Sequence, residues 1–267
     1  MDSKLVSVVM PVHNGEKTIR AAVESVFRQD HILELIVVDD CSTDGTQRVL
    51  DDFGDDERLI RERSSKKLGA AGARNRGVLL ARGKYVAFLD SDDEWADGKI
   101  ARQVRMMEEH PYSLCCTGRE LLRSDGTRTG RIIGVREKIS YRQLLRHNCV
   151  NCSSVLLRRE TALRYPMEHE DSHEDYITWL RVLRDEGDAA GINEPLLLYR
   201  LSSTGKSGNK FKSARMTYMV YRYIGFGRAG ALAHFLSYAV NGVFKYTKAA
   251  LLSRAGTGRR RRTGVRK

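Results

Sequence analysis

Asp90-Ser91-Asp92-Asp93 sets three carboxylates within four residues, directly after the apolar run Lys84-Tyr85-Val86-Ala87-Phe88-Leu89. Such a run reads as a buried strand, so the acids stand where its C-terminal end meets solvent, the place where open α/β sheets hold ligands. Carboxylates this close repel one another. A hard divalent cation, Mg²⁺ or Mn²⁺, relieves the repulsion and carries substrate phosphates. The same residues would also serve as an Asp-rich turn that caps the following helix. A second acidic pair, Glu174-Asp175, precedes Tyr176, Ile177, Leu180, Val182 and Leu183, whose spacing predicts a helix with one buried face. The pair then lies at the helix N-terminus, where the dipole and free N–H groups stabilise anions. An acidic first turn needs no catalytic role, but beside a metal cluster the catalytic reading is the stronger.

The elements that must position these acids are legible around them. Leu5 to Val12 is a β-branched apolar run, His13-Asn14-Gly15 a turn, and Glu16 to Arg28 a helix with Ile19, Ala22, Val23, Val26 and Phe27 on one face. Leu33 to Val38 is a second strand, followed by the polar loop Asp39-Asp40-Cys41-Ser42-Thr43-Asp44-Gly45-Thr46 and a helix from Gln47 to Phe53. Ala70 to Ala81 reads as a helix rich in small residues and leads into the Lys84–Leu89 strand. Alternation of this kind predicts an α/β fold: a mostly parallel, Rossmann-like sheet flanked by helices, with right-handed crossovers and a crevice beyond the strands' carboxyl ends.

Four stretches in this order, VSVVMPVHNGEKTIRAAVESVFRQ, ELIVVDDCSTDGT, GAAGARNRGVLLARGKYVAFLDSDDEW and HEDYITWLRVL, resemble glycosyltransferase family 2, the inverting nucleotide-sugar transferases of GT-A fold. The layout is most similar to bacterial enzymes that add sugars to cell-surface polysaccharide, teichuronic acid transferases among them. The resemblance implies a role for each matching residue. Pro11, His13, Glu16 and Asp40 would line a uracil pocket, a carboxylate being suited to accept the imide N–H. The family's usual residue at His13 is tyrosine, so base stacking here would rest on imidazole. Gly69 to Arg74 would pack beside the nucleotide, small residues permitting close approach. Arg74 would meet phosphate or carboxylate, or pair structurally with the Asp39 region. Asp92 would ligate the metal directly; Asp90 would meet ribose or a bridging water, with Ser91 beside them and Asp93 orienting the set. Asp175 would be the catalytic base that takes the acceptor hydroxyl proton, and Glu174 its supporting carboxylate.

These parts imply a direct displacement with inversion, since no residue need form a glycosyl intermediate. Gln143-Leu144-Leu145-Arg146-His147 nearly spells the Gln-x-x-Arg-Trp signature of processive synthases, but tryptophan is absent and the segment precedes the Glu-Asp pair. One sugar per encounter is the expectation. Tyr141 to Ser154 then shapes the acceptor side or packs as a helix and strand.

At 267 residues and 41% hydrophobic content, the chain can bury one α/β core and carry a modest extension. The expected division is a catalytic domain over 1–200, with a nucleotide-sugar half to 95 and an acceptor half beyond. A lid or linker follows over 201–214, then a helical extension over 215–253 and a basic tail over 254–267. Lys206, Lys210 and Lys212 would fold over the diphosphate, or the stretch is a solvated linker. Cys149-x-x-Cys152 invites a zinc or redox reading. No second pair stands at ligand spacing, so the five cysteines read as reduced structural thiols. The chain shows no charged-then-apolar leader, which leads to an expectation of cytoplasmic residence.

The net charge is +12, with much of it in Arg259 to Lys267 and in Lys245, Lys248 and Arg254. Leu232, Phe235, Leu236, Ala239, Val240, Val243 and Phe244 fall on one helical face. A helix of this kind followed by a basic tail suits an anionic membrane surface at the inner leaflet, or the face packs on the domain or on a second subunit. No stretch has the length to span a bilayer. The partners expected are a nucleotide-sugar donor and a saccharide or polyprenyl-diphosphate-linked acceptor. A nucleic-acid binder would leave the clustered acids without purpose and lacks an aromatic-studded basic face. A sugar nucleotidyltransferase would show an early Gly-rich basic loop, where this chain has PVHNGE.

Overall fold

Val6–Val12 (β1) is buried at every position but Pro11, because helices cover both faces of the strand. The pleat divides its side chains between two cores. Val6, Val8, Met10 and Val12 join the helix Ile19–Phe27 (α1), while Val9 points to the opposite layer. The computed structural model describes residues 4–201 and 210–240. β1 pairs in parallel with Ile32–Asp39 (β2) and with Tyr85–Phe88 (β4). β2 pairs in parallel with Leu59–Arg63 (β3), an edge strand whose Arg61 and Arg63 are exposed. Its polar composition is why the sequence reading passes over it: an edge strand has less apolar surface to bury. Between β2 and β3 lies the short helix Thr46–Asp51 (α2).

Gly69–Leu80 (α3) carries small residues because it lies close against β1. A Cβ on Gly77 would stand 2.3 Å from Cγ1 of Val9. On the other face, Lys99–Glu109 (α4) buries even its lysine, whose Nζ sits 4.1 Å from the Trp95 ring centroid and donates to Gln103 Oε1 at 2.6 Å. The second half mixes directions. Leu114–Leu122 (β6) and Ala189–Arg200 (β10) are parallel, Leu156–Arg158 (β9) joins β4 to β6 antiparallel, and Glu94–Trp95 (β5) lies antiparallel on β10. Arg128–Ile133 (β7) and Lys138–Ile139 (β8) pair with β6 and β10. The path through the sheet is β3-β2-β1-β4-β9-β6-β10-β5.

Tyr141–Arg146 (α5) starts with a capping box in which Ser140 Oγ accepts Gln143 N–H and Gln143 Oε1 accepts Ser140 N–H. Gln143 is thus engaged in starting a helix. The segment continues in extended form to a 3₁₀ turn at Cys152–Ser154. Arg159–Arg164 (α6), Glu174–Asp185 (α7) and Lys210–Tyr223 (α8) complete the layer with a last helix over residues 228–240 (α9). All five cysteines are free, and Cys115, Cys116 and Cys152 are buried.

The stripe expected as one face of the last helix is divided in the structure. Ala231, Phe235 and Tyr238 pack on the core, Tyr238 lying 5.9 Å from the His147 ring and 6.3 Å from Tyr176. Leu232, Leu236 and Val240 stay 50–54% exposed on the outer side. A stripe built on 3.6 periodicity is wide enough for two edges, and the aromatic edge is the one that finds a pocket. Val243, Phe244, Lys206 and the basic residues from Lys245 onward lie outside the described residues. Among the described residues no helix is long and apolar enough to cross a membrane.

Candidate active site

The C-terminal ends of β1, β2, β4 and β10 and the N-termini of α3 and α7 open onto one cavity of about 630 Å³. Pro11, His13, Asp40 and Gly69 line one side. Asp90, Ser91 and Asp92 form the floor at the end of β4, and Arg74, Glu174 and Asp175 close it from the helices. Glu16, expected among them, stands outside. Its carboxylate accepts Gly45 N–H at 3.1 Å and meets Arg48 at 3.3 Å, so it ties two loops together.

That tie belongs to a lacing of the β1 and β2 loops. Asn14 N–H donates to Ser42 Oγ at 2.9 Å, Asn14 Oδ1 accepts Thr43 N–H at 2.8 Å, and Gly15 N–H donates to Thr46 Oγ1 at 2.9 Å. Asn14 and Cys41 hold φ of 56° and 60°, a region that non-glycine residues occupy chiefly where surrounding bonds impose it. Asp40 accepts the N–H groups of Leu68 (2.5 Å) and Gly69 (3.0 Å), which fixes the start of α3 against the end of β2. A carboxylate offers about four lone pairs, so capacity remains for a ligand N–H.

Arg74 is the joint between the two halves of the cavity. Its Nη2 donates to Asp90 Oδ1 at 2.6 Å and its Nη1 to Glu174 Oε1 at 3.0 Å. Burial opposes its charge, but Asp90 and Glu174 outweigh that and hold the guanidinium firmly protonated. Of the two partners expected for Arg74, the carboxylates are found and the Asp39 region is not. Asp39 instead accepts from Ser42 N–H and Gln47 and lies 3.5 Å from Arg63.

The acids feel each other across this joint. Asp92 is raised to about 6, first by burial and then by the charge of Asp90. Asp93 is buried and pushed well above the ordinary carboxylate range by that burial and then by the charges of Asp92 and Asp90, with one oxygen held by Arg200 N–H at 2.9 Å. Its other oxygen has no hydrogen-bond partner among the described residues. Asp175 is raised to about 6, by burial and then by Glu174, while its Oδ1 accepts the next residue's N–H at 2.7 Å. A carboxylate poised near neutrality in a cleft is suited to accept a proton. For a cation, the donor set is Asp90 and Asp92, and among the described residues no cluster of three or more ligating side chains forms a cage. Such a set fits a hard ion completed by phosphate and water oxygens.

Tyr199 and Arg200, at the end of β10, also line the cavity, and the sequence reading assigns them only to a boundary. Arg200 braces the acidic turn by donating from Nε to Asp92 O at 2.8 Å and from Nη2 to Glu94 at 2.7 Å. Ser153 does the same from β9's side, accepting Asp90 N–H at 3.1 Å. A polar pair closing the apolar run Leu196-Leu197-Leu198 was the available signal, and the pairing of β10 with β6 and β5 was not legible locally.

Comparison with known proteins gives concordant matches. The family model described as Glycosyl transferase family 2 matches residues 7–165. The glycosyltransferase TuaG of Bacillus subtilis (strain 168), named for teichuronic acid biosynthesis, is 39% identical over 222 residues, 82% of this chain and 88% of that protein. The Escherichia coli UDP-Glc:alpha-D-GlcNAc-diphosphoundecaprenol beta-1,3-glucosyltransferase WfgD is 34% identical over 252 residues, 92% of this chain and 96% of that one. Among solved structures, S. aureus TarS 1–349 in complex with UDP-GlcNAc superposes with a TM-score of 0.67 at 18% identity, covering 88% of this chain and 71% of that chain. At that identity the likeness speaks for the fold.

Proposed function

The chain belongs to glycosyl transferase family 2 and is a glycosyltransferase, and from that premise we propose that it moves a single sugar, with inversion, from a UDP-linked donor to a hydroxyl of a saccharide or lipid-diphosphate-linked saccharide in bacterial cell-surface polysaccharide synthesis. The observation that carries this reading is the meeting of Asp40, Asp92 and Asp175, remote in sequence, on one cavity of a size that suits a nucleotide sugar. The relatives named above supply the acceptor class.

Asp40 and the laced loops hold the base, with His13 at the pocket mouth. Asp92, with Asp90 behind it, would hold the divalent cation, Mn²⁺ or Mg²⁺, which when bound neutralises charge on the departing diphosphate. Asp175 takes the proton from the acceptor hydroxyl as the sugar–phosphate bond breaks. Glu174 is committed to Arg74, so its part is to fix the start of α7 and to raise the affinity of Asp175 for a proton. The purified protein with Mn²⁺ and a panel of nucleotide sugars is expected to release nucleoside diphosphate, and EDTA to stop it. Release of inorganic pyrophosphate from a sugar phosphate and a nucleoside triphosphate would replace this reading with that of a nucleotidyltransferase.

Membrane attachment at the inner leaflet is part of the same proposal. Residues 241–267 carry nine Lys and Arg and no Asp or Glu, and they follow directly on the exposed Leu232, Leu236 and Val240 of α9. Near an anionic surface each such charge adds about 1 kcal/mol of attraction. Flotation with anionic liposomes is expected to be strong at low salt and lost at high salt. Binding that persists unchanged after deletion of residues 254–267 would remove the tail from the account.

A further inference from the structure

A second cavity, of about 560 Å³, shares one wall segment with the first. The wall is the extended segment after α5: His147 and Cys149 face the second cavity, and Asn151 and Cys152 face the first. Its charged and polar lining is Arg136, Arg146, His147 and Gln143 over an apolar floor of Val135 and Ile139, and among the described residues no carboxylate lines it. The sign is opposite to that of the acidic cleft next door. The site's Arg136 stands on fixed backbone. Gly191 N–H donates to Glu137 O at 2.8 Å, Val135 N–H donates to Asn193 Oδ1 at 3.1 Å, and a Cβ on Gly191 would lie 1.9 Å from Arg136 O. Glycine at 191 is what lets this segment approach β10 so closely.

A further arginine lies near residues that line each cavity. Arg119 pairs across β6–β7 with Ile133, next to the Gly134 that lines the second cavity, and its guanidinium lies 5.7 Å from the ring of Tyr199, which lines the first. It is half-buried, and its Nε has no hydrogen-bond partner among the described residues. Burial disfavours its charge, which the Asp93 carboxylate offsets only in part, and an anionic ligand would add a counter-charge.

We propose that this second cavity, with Arg119 nearby on β6, binds the diphosphate of the acceptor, so that the sugar joined to that diphosphate reaches across the Cys149–Cys152 wall towards Asp175. The proposal rests on the transferase reading but concerns a different set of residues. Arginine forks match phosphate oxygens two at a time, and an apolar floor beside them suits the first isoprenyl units. Phosphate bound here is kept apart from the donor's own diphosphate by the protein wall.

The test uses the full-length protein with a C15 isoprenyl diphosphate in EDTA, without donor or metal, followed by calorimetry. Binding by the parent protein is expected, with inorganic pyrophosphate competing. Arg136→Gln/Arg146→Gln is expected to weaken it about tenfold or more, since hydrogen bonds between charged groups are at stake and tenfold corresponds to the loss of about one of them. Asp92→Asn is expected to bind as the parent does. Absence of heat with the parent, equal binding by the double variant, no competition by pyrophosphate, or loss of binding in Asp92→Asn would each overturn the proposal. The transferase reading has its own separate failure, the absence of nucleoside diphosphate release.

Discussion

Asp175→Asn is expected to lower kcat by about 10²–10⁴-fold, the ordinary worth of a positioned general base, while nucleotide-sugar binding stays within a few-fold of the parent. Asparagine keeps the shape and the N-terminal place on α7 but cannot accept the hydroxyl proton. The parent's pH profile should carry the same signature. Asp175 is raised to about 6 and must be ionised to act, so kcat rises with pH through about 6 and is level above it. In the variant that acid limb disappears. Stability runs the other way. A folded-state value above the unfolded one of about 4 means that the native state binds its proton more tightly, so ionisation weakens the fold as pH climbs from about 4 to about 6. Asp175→Asn is therefore expected to be as stable as the parent at pH 4 and more stable, by about 1–3 kcal/mol, at pH 7. A variant that turns over near the parental rate at pH 7 would take the base role away from this residue.

The second large effect is expected at Arg74. Arg74→Met removes one cation from between Asp90 and Glu174, leaving two carboxylates facing a buried methionine. Breaking a buried pair by removing one partner costs about 3–5 kcal/mol. At about 2–4 °C per kcal/mol for a chain of this size, the melting temperature should fall by roughly 6–20 °C. Sugar transfer should fall by at least about 10²-fold, because the acid floor and the base helix lose their common brace. Arg74→Lys separates charge from geometry: an ammonium keeps the charge but cannot reach both carboxylates in the fork. It should recover much of the stability and little of the activity. Unchanged melting and unchanged turnover in Arg74→Met would show that Asp90 and Glu174 are positioned by other contacts.

Most of the first half of the fold was open to sequence reading because β1, β2 and β4 are short, mostly apolar and separated by helices. β1, β2 and β4 and the helices α1, α3 and α7 stand where their periodicity puts them, to within a few residues. β3 was passed over because an edge strand is polar, and β5 because two residues make no pattern. Glu16 shows the limit of transferring a role along a motif. Its position matches, yet a backbone N–H at Gly45 holds the carboxylate away from the cavity.

What the residues alone determined is local: which strands are buried on both faces, which loops carry acids at the strands' carboxyl ends, and which helix begins with Glu174-Asp175. Those features follow from side-chain type and spacing within about ten residues, and the family resemblance is built from the same stretches. What tertiary structure decided is every contact that joins distant segments. Arg74 meeting Glu174 across 100 residues, Arg200 bracing Asp92 across 108, and the last helix turning Tyr238 inward are set by sheet order and by packing. A carboxylate's proton affinity is likewise a sum over neighbours and burial, so the elevated values at Asp92 and Asp175 exist only once the chain has brought their like-charged neighbours together out of water.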